Sequence, residues 1–167
     1  GTITIGGNIL SGEGNYFGFQ DDVNDEGIAV NNGSPTIKGN WFGTNSIKTN
    51  IANYSGVTLA GGADLVVLGG TTAGDGNVFG YNTRGIIANS TASTQTIKGN
   101  YLGVTNDAAS TWSNIGGTAT PGGADILGIR INVNVSTTTS IGGPNLADRN
   151  YICFCPIGID IYDGSPV

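Results

Sequence analysis

Eight residues, Thr36-Ile37-Lys38-Gly39-Asn40-Trp41-Phe42-Gly43, return as Thr96-Ile97-Lys98-Gly99-Asn100-Tyr101-Leu102-Gly103. A looser relative stands between and beyond the two copies. Ile5-Gly6-Gly7 leads to Gly14-Asn15-Tyr16-Phe17-Gly18, Leu68-Gly69-Gly70 to Gly76-Asn77-Val78-Phe79-Gly80, and Ile141-Gly142-Gly143 to Asn150-Tyr151-Ile152. A third mark is glycine before an aliphatic residue, at Gly27-Ile28, Gly56-Val57, Gly85-Ile86, Gly128-Ile129 and Gly158-Ile159. Aligned on these marks, the chain divides into five units. Their opening aliphatics, Ile5, Ile37, Leu68, Ile97 and Ile141, lie 32, 31, 29 and 44 residues apart. Self-similarity at this period means a solenoid, a propeller or an array. Two unit types alternate: Ile-Gly-Gly in the first, third and fifth, Ile-Lys-Gly-Asn in the second and fourth.

Each unit reads as short strands separated by turn residues. The first predicts strands over Thr2 to Ile5, Tyr16 to Phe19 and Ile28 to Val30. The second predicts Thr36 to Lys38 running on through Trp41 and Phe42, then Val57 to Leu59. The third predicts Leu65 to Leu68, Val78 to Tyr81 and Ile86 to Ala88. The fourth predicts Thr96 to Leu102 and Ile129 to Val133, and the fifth Thr139 to Ile141, Tyr151 to Phe154 and Ile159 to Tyr162. Glycine makes up 30 of 167 residues, far above the usual ~7%. Strong helix formers such as Glu, Lys and Gln are scarce, so helix is expected to be minimal. Propeller blades need four strands and repeats of ~40 residues or more. Three strands in ~30 residues instead predict an all-β fold, a single parallel β-helix of five coils spanning 1–167. At ~4.8 Å per coil the column is roughly 24 Å tall. The fourth unit is the longest. Its excess, within about 104–125, predicts a lateral loop that leaves the stack and returns.

Two positions recur in every unit. Phe17, Phe42, Phe79, Leu102 and Ile152 are large and apolar, and strand alternation stacks them inside the column. Asn15, Asn40, Asn77, Asn100 and Asn150 precede them by two residues. Asparagine tolerates left-handed backbone and bonds its own main chain. At the same turn of each coil, the five predict an amide ladder.

These repeats resemble the right-handed parallel β-helix superfamily, the pectate-lyase-like fold, and above all the Gly-Asn-rich repeats of bacterial and archaeal surface proteins. The resemblance covers nearly the whole chain and implies a right-handed β-helix. It implies no single activity, because the fold hosts lyases, adhesins and tailspikes alike.

Charge and composition exclude several functions. The net charge is −6 with only six Lys and Arg, which leaves no basic stripe for nucleic acid. No apolar run approaches the ~20 residues of a membrane span. There is no His, hence no imidazole base and no Ser-His or Cys-His pair. Lys38 and Lys98 stand at equivalent repeat positions, which marks structural outward side chains. Arg84, Asp125 and Arg130 form no catalytic cluster in sequence, so the expectation is a chain without catalytic residues. The sparsely charged, Gly/Asn/Thr-rich composition points to the cell surface or the extracellular space. The chain opens on Gly1, which reads as processing or excision.

Several smaller features carry chemistry of their own. Asp21, Asp22, Asp25 and Glu26 form an oxygen-rich run able to hold Ca²⁺, though without EF-hand or calcium-solenoid spacing; no other cofactor is expected. Cys153 and Cys155 flank Phe154. An i, i+2 disulfide is strained, which leaves packed thiols or bonds to another chain. Asn32, Asn53, Asn89 and Asn134 sit in glycosylation sequons, the first weakened by Pro35. Threonine runs suggest an ice-binding array, but Thr4 aligns with Val67 and Ser140, which breaks the register.

The leading expectation is a non-enzymatic extracellular structural subunit that stacks head to tail with itself into a filament. Its end-to-end interface comprises Thr2, Ile3, Thr4 and Ile5 at one end and Ile141, Ile159 and Ile161 at the other. One alternative is a segment of a longer adhesin stalk, since Asp163-Gly164-Ser165-Pro166 repeats the pattern of Asn32-Gly33-Ser34-Pro35. Another is a β-helix that binds or cleaves polysaccharide, including surface glycans, with Trp41, Tyr101 and Trp112 as stacking platforms.

Overall fold

The computed structural model describes residues 3–19, 22, 25–90, 94–106, 112–114, 127–132 and 138–162. Each coil gives one strand to each of three five-stranded sheets. The first sheet holds β1 (Thr4–Ile5), β4 (Thr36–Ile37), β7 (Val66–Gly69), β10 (Thr94–Lys98) and β15 (Thr138–Ile141). The second holds β2 (Tyr16–Phe17), β5 (Trp41–Phe42), β8 (Val78–Phe79), β11 (Tyr101–Leu102) and β16 (Tyr151–Ile152). The third and longest holds β3 (Glu26–Gly33), β6 (Ser55–Ala63), β9 (Arg84–Ser90), β14 (Leu127–Asn132) and β17 (Ile157–Tyr162). Every pairing within these sheets is parallel, and the coils stack in sequence order. This is a parallel β-helix, with the right-handed sense that crossovers between parallel strands impose.

The corners shorten some expected strands. Neither Thr36 to Phe42 nor Thr96 to Leu102 is one strand, because a left-handed residue separates β4 from β5 and β10 from β11: Gly39, with φ +61°, and Gly99, with φ +69°. A Cβ on Gly99 would collide with the carbonyl oxygen of Gly70 in the coil above, so only glycine fits this corner. The strands expected to run through Phe19, Tyr81 and Phe154 end two residues earlier. These three aromatic residues take φ values of +67°, +59° and +55° and turn the chain out of the second sheet. The third-sheet strands run longer than expected: β3 pairs with β6 past Gly61 through a register shift between Val30 and Asn32, and β6 pairs with β9 as far as Gly61. Among the described residues, helix is confined to two single turns, Ile9–Ser11 and Leu146–Asp148.

Inside the column each inner coil contributes at least one large apolar side chain per sheet. Ile37, Leu68 and Ile97 come from the first sheet, Phe42, Phe79 and Leu102 from the second, and Val57, Ile86 and Ile129 from the third, all buried. The rings of Phe17, Phe42 and Phe79 stack at 4.9 and 4.8 Å, within 11° of parallel. Leu102 and Ile152 continue the same register. Phe17 and Ile152, in the outermost coils, are only half-buried. Gln95 is the polar exception: it is buried level with Val66, and neither amide atom finds a hydrogen-bond partner among the described residues.

Past the second corner of the fourth coil, β12 (Val104–Asn106) pairs antiparallel with β13 (Trp112–Asn114). This hairpin opens the lateral excursion expected over 104–125; the remainder of that segment lies outside the described residues.

Truncating a ring in the middle of the stack opens a cavity that parallel neighbours cannot collapse into. Phe42→Ala is expected to lower unfolding stability by about 3–5 kcal/mol, and Phe17→Ala, at the half-buried end, by clearly less. Denaturant titration followed by circular dichroism measures both; equal losses would mean that the stack is not the core.

Candidate functional site

Asn15, Asn40, Asn77, Asn100 and Asn150 form one continuous column at the corner between the first and second sheets. Side-chain Nδ2 donates to the Oδ1 of the next asparagine, at 3.0 Å from Asn15 to Asn40, 3.2 Å from Asn40 to Asn77, and 3.0 Å for the two following links. The backbone N–H of each donor residue reaches the same oxygen. The second Nδ2 hydrogen donates to a first-sheet carbonyl of the coil above: Ile5 from Asn40, Ile37 from Asn77, Leu68 from Asn100 and Ile97 from Asn150. Asn40, Asn77 and Asn100 are buried, and a buried amide is tolerated only when its donors and acceptors are filled.

The column has direction. All links donate from one coil to the next. Among the described residues, the Oδ1 of Asn15 accepts nothing, while the backbone N–H of Asn150 finds no acceptor. One end therefore offers an acceptor and the other offers donors.

A second asparagine column lies at the next corner. Asn53 donates from its backbone N–H and Nδ2 to Asn82 Oδ1, at 3.1 and 3.0 Å, and the two side chains donate back to the carbonyls of Phe17 and Phe42. Sequence reasoning missed it, although a signal was present. Asn53-Tyr54-Ser55-Gly56-Val57 and Asn82-Thr83-Arg84-Gly85-Ile86 share the pattern Asn-x-x-Gly-aliphatic. Cys155-Pro156-Ile157-Gly158-Ile159 puts a thiol in the asparagine's place. Cys155 Sγ accordingly sits beside Gly103, as Asn82 Oδ1 sits beside Gly43.

This second column corrects one expectation. Asn53 is buried and its amide is committed to Asn82 and Phe17, so the folded chain cannot present it for glycosylation. Asn89 and Asn32 are exposed. Asn134 lies outside the described residues.

Cys153 and Cys155 are both free thiols and half-buried. Burial, and secondarily the neighbouring Cys153, push the Cys155 thiol up to about 11, so it stays protonated near neutral pH. It donates to the carbonyl of Cys153 at 3.4 Å. The pair does not lie within a strand. It follows β16 at the corner made by Phe154.

The repeated lysines stand outside the column, each on an acid of the coil below. Lys38 pairs with Asp75 at 3.2 Å and Lys98 with Asp148 at 3.5 Å. Both acids close the loop between the first and second sheets that Ile-Gly-Gly coils carry and Ile-Lys-Gly-Asn coils lack. Asp148 is held below the ordinary aspartate value, chiefly by the backbone N–H of Asn145 and against the cost of burial. The Asn145 side chain and Lys98 add to the lowering. The acid at the same place in the first coil is Glu13, whose Oε2 accepts the Asn8 N–H at 2.9 Å.

The loops touch one another across the intervening coil. Ile9 N–H donates to Gly74 O at 2.9 Å, and Asn8 Nδ2 donates to Ala73 O at 2.8 Å. The corner of the second coil is enclosed between them. Gly39 N–H donates to Asp75 O at 2.8 Å, and a Cβ on Gly39 would strike the carbonyl of Gly7.

The remaining candidates are dispersed. Of the acidic run, Asp22 and Asp25 are exposed and Glu26 is half-buried, while Asp21 lies outside the described residues. Among the described residues, no three His, Cys, Asp or Glu side chains gather into a metal-holding group. Outward on the second sheet, Tyr16 stacks on Trp41 at 6.4 Å and Tyr101 on Tyr151 at 5.4 Å. Val78 interrupts the row. Thr4 is level with Thr36, Val67, Thr96 and Ser140, so no unbroken threonine file exists there. Arg130 pairs with Asp160 at 2.7 Å across the third sheet. At the column's ends, Ile3, Thr4, Ile159 and Ile161 are exposed and Ile5 and Ile141 half-buried; Thr2 lies outside the described residues. No helix among the described residues is long and apolar enough to cross a membrane.

No protein-family model, curated protein or solved structure matches this chain.

Asn77→Ala takes the side-chain donor from Ile37 O and from Asn100 Oδ1, which keeps only the residue-77 backbone N–H, and leaves the Asn40 N–H and one Asn40 Nδ2 hydrogen without their acceptor. The expected loss is about 2–4 kcal/mol, read from thermal or denaturant unfolding. Asn32→Ala, on an exposed strand end, is the control and is expected to change little. An unchanged midpoint for Asn77→Ala would remove the column from the account.

Proposed function

We propose that this chain is a structural β-solenoid: a non-enzymatic, extracellular rod element whose outer coil faces dock further coils of the same architecture. One observation carries the reading. Ile129 and Ile159 are paired neighbours pointing into the column, yet Ile129 is 0% exposed and Ile159 46%. Ile161, level with Ile131, is 71% exposed. These isoleucines are core residues of a column that has no coil beneath them among the described residues. At the opposite face Ile3, Ile5, Ile28 and Val30 line an open cavity of about 260 Å³. Each face also presents a row of strand N–H and C=O groups, which favours strand addition. Burying such a face gains roughly 25 cal/mol per Å² of apolar surface.

Two sources of a covering coil fit. A second copy stacked head to tail gives an open filament, and the donor end of the asparagine column would meet its acceptor end. Neighbouring coils of a longer stalk give the same contacts within one chain. The alternation of coil types favours the stalk, because a head-to-tail joint sets two loop-bearing coils against each other. Sparse charge and abundant Gly, Asn and Thr support an extracellular placement, and the repeated asparagine corner supports kinship with pectate-lyase-like β-helices.

The test is association through the ends. Wild-type protein is expected to form elongated, concentration-dependent assemblies in analytical ultracentrifugation and electron micrographs. Ile159→Lys combined with Ile161→Lys places charge on an otherwise dry face. It is expected to weaken association at least tenfold while leaving the circular dichroism spectrum unchanged. A variant that assembles as well as the wild type contradicts docking through the ends; a wild type that is monomeric at every concentration rules out the second copy and leaves the neighbouring coils of a longer stalk as the cover.

A further inference from the structure

We propose that the outer face of the first coil is a receptor for one kind of partner, a solenoid coil of the tight Ile-Lys-Gly-Asn type. The lysine of that coil pairs with Glu13, and its asparagine donates to Asn15. This rests on the docking reading above and adds which coil docks.

The inner coils supply the template. Wherever an Ile-Lys-Gly-Asn coil sits above an Ile-Gly-Gly coil, one acid receives it twice. Asp75 accepts the Gly39 N–H on its main-chain oxygen and the Lys38 ammonium on its carboxylate. Asp148 does the same for Gly99 and Lys98. In Asp148 the two carboxylate oxygens divide the work: Oδ2 accepts the Asn145 N–H that closes the loop, and Oδ1 faces the lysine. Glu13 repeats the arrangement one step short of completion. Its Oε2 closes the first loop on the Asn8 N–H. Its Oε1 and its main-chain oxygen have no donor among the described residues. Asn15 Oδ1 is open in the same direction, and in the inner coils that oxygen receives two donors from the asparagine above.

Sterics decide against the other coil type. The loops of the first and third coils are already in hydrogen-bond contact although a whole coil separates their strands. A loop thus fills the height of two coils, and what fits between two loops is a glycine corner such as Gly39. An Ile-Gly-Gly coil docked on the first coil would bring its own loop into the space of the loop at residues 7–13. A second copy docking through its fifth coil meets this obstacle. It also carries Gly142 where the lysine belongs, so head-to-tail self-assembly is the weaker use of the face.

Two fusions of nearly equal length test this. In one, a second copy of residues 36–65 replaces Gly1 and Thr2 directly ahead of Ile3, in the register that residues 36–65 hold above Val66. In the other, a second copy of residues 66–94 takes the same place. The lysine-type fusion is expected to raise the Tm by several degrees and to resist proteolysis in the added coil. The loop-type fusion should leave the Tm unchanged and its added coil cleavable. Within the lysine-type fusion, Glu13→Gln and Lys38→Gln in the added copy should each lower the Tm, and the double change should lower it by less than their sum. In the parent, Glu13→Gln should lower the Tm less than it does in the fusion. Equal stabilisation by both fusions, or additive effects of the two substitutions, overturns the assignment of the partner. If neither fusion is stabilising, the docking reading itself falls.

Discussion

The structure depends on a hydrogen bond between identical side chains one coil apart. A primary amide carries both donor and acceptor, so an asparagine can satisfy a copy of itself. Asn40, Asn77 and Asn100 do so in a buried corner, and each also reaches back to a strand carbonyl of the coil above. The arrangement tolerates no slippage. Moving one coil by one residue would bury an unpartnered amide and turn the large apolar side chain two positions later out of the column. The polar column fixes the register, and the Phe17–Phe42–Phe79 stack beside it supplies the apolar burial. Neither is sufficient without the other, because a ladder alone has little driving force and apolar stacking alone has no register.

The two coil types divide the labour at the corner. The Ile-Lys-Gly-Asn coils turn from β4 to β5 through three residues and from β10 to β11 through two, with Gly39 or Gly99 in the left-handed region. The Ile-Gly-Gly coils place a loop there, tall enough to reach over the tight corner of the coil above or below. Lysine from the tight coil then pins the loop through Asp75 or Asp148. These partly exposed ion pairs add little stability on their own. Their value lies in specificity, since a lysine and an acid at matched heights mark which coil belongs on which.

Most of the fold was legible because a solenoid repeats its evidence. One Gly-Asn stretch is a weak signal, but five asparagines in register, four of them after glycine, fix the column of Asn15, Asn40, Asn77, Asn100 and Asn150 and the apolar file beside it. The corners were harder to read. Phe19, Tyr81 and Phe154 adopt left-handed backbone against the preference of aromatic side chains, and propensity alone extends strands through them. Asn53 was read as an acceptor for glycan because a sequon describes three residues, while its burial is decided by Asn82, a whole coil away. The loop-to-loop contact between Asn8 and Ala73 is likewise invisible in sequence. It depends on how far a turn projects from the column, and no local pattern encodes that height.

The central claim is that the asparagine column locks the coils together as one cooperative unit with a fixed direction. Hydrogen–deuterium exchange at single-residue resolution tests it most directly. The backbone N–H groups of Asn40, Asn77 and Asn100 donate to the amide oxygen of the next coil. They are expected to exchange only through global unfolding. The N–H of Asn150, pointing out of the fifth coil without an acceptor among the described residues, is expected to exchange orders of magnitude faster. Exchange at Asn77 as fast as at Asn150 would contradict the account, since the coils would then be held by apolar stacking without the ladder.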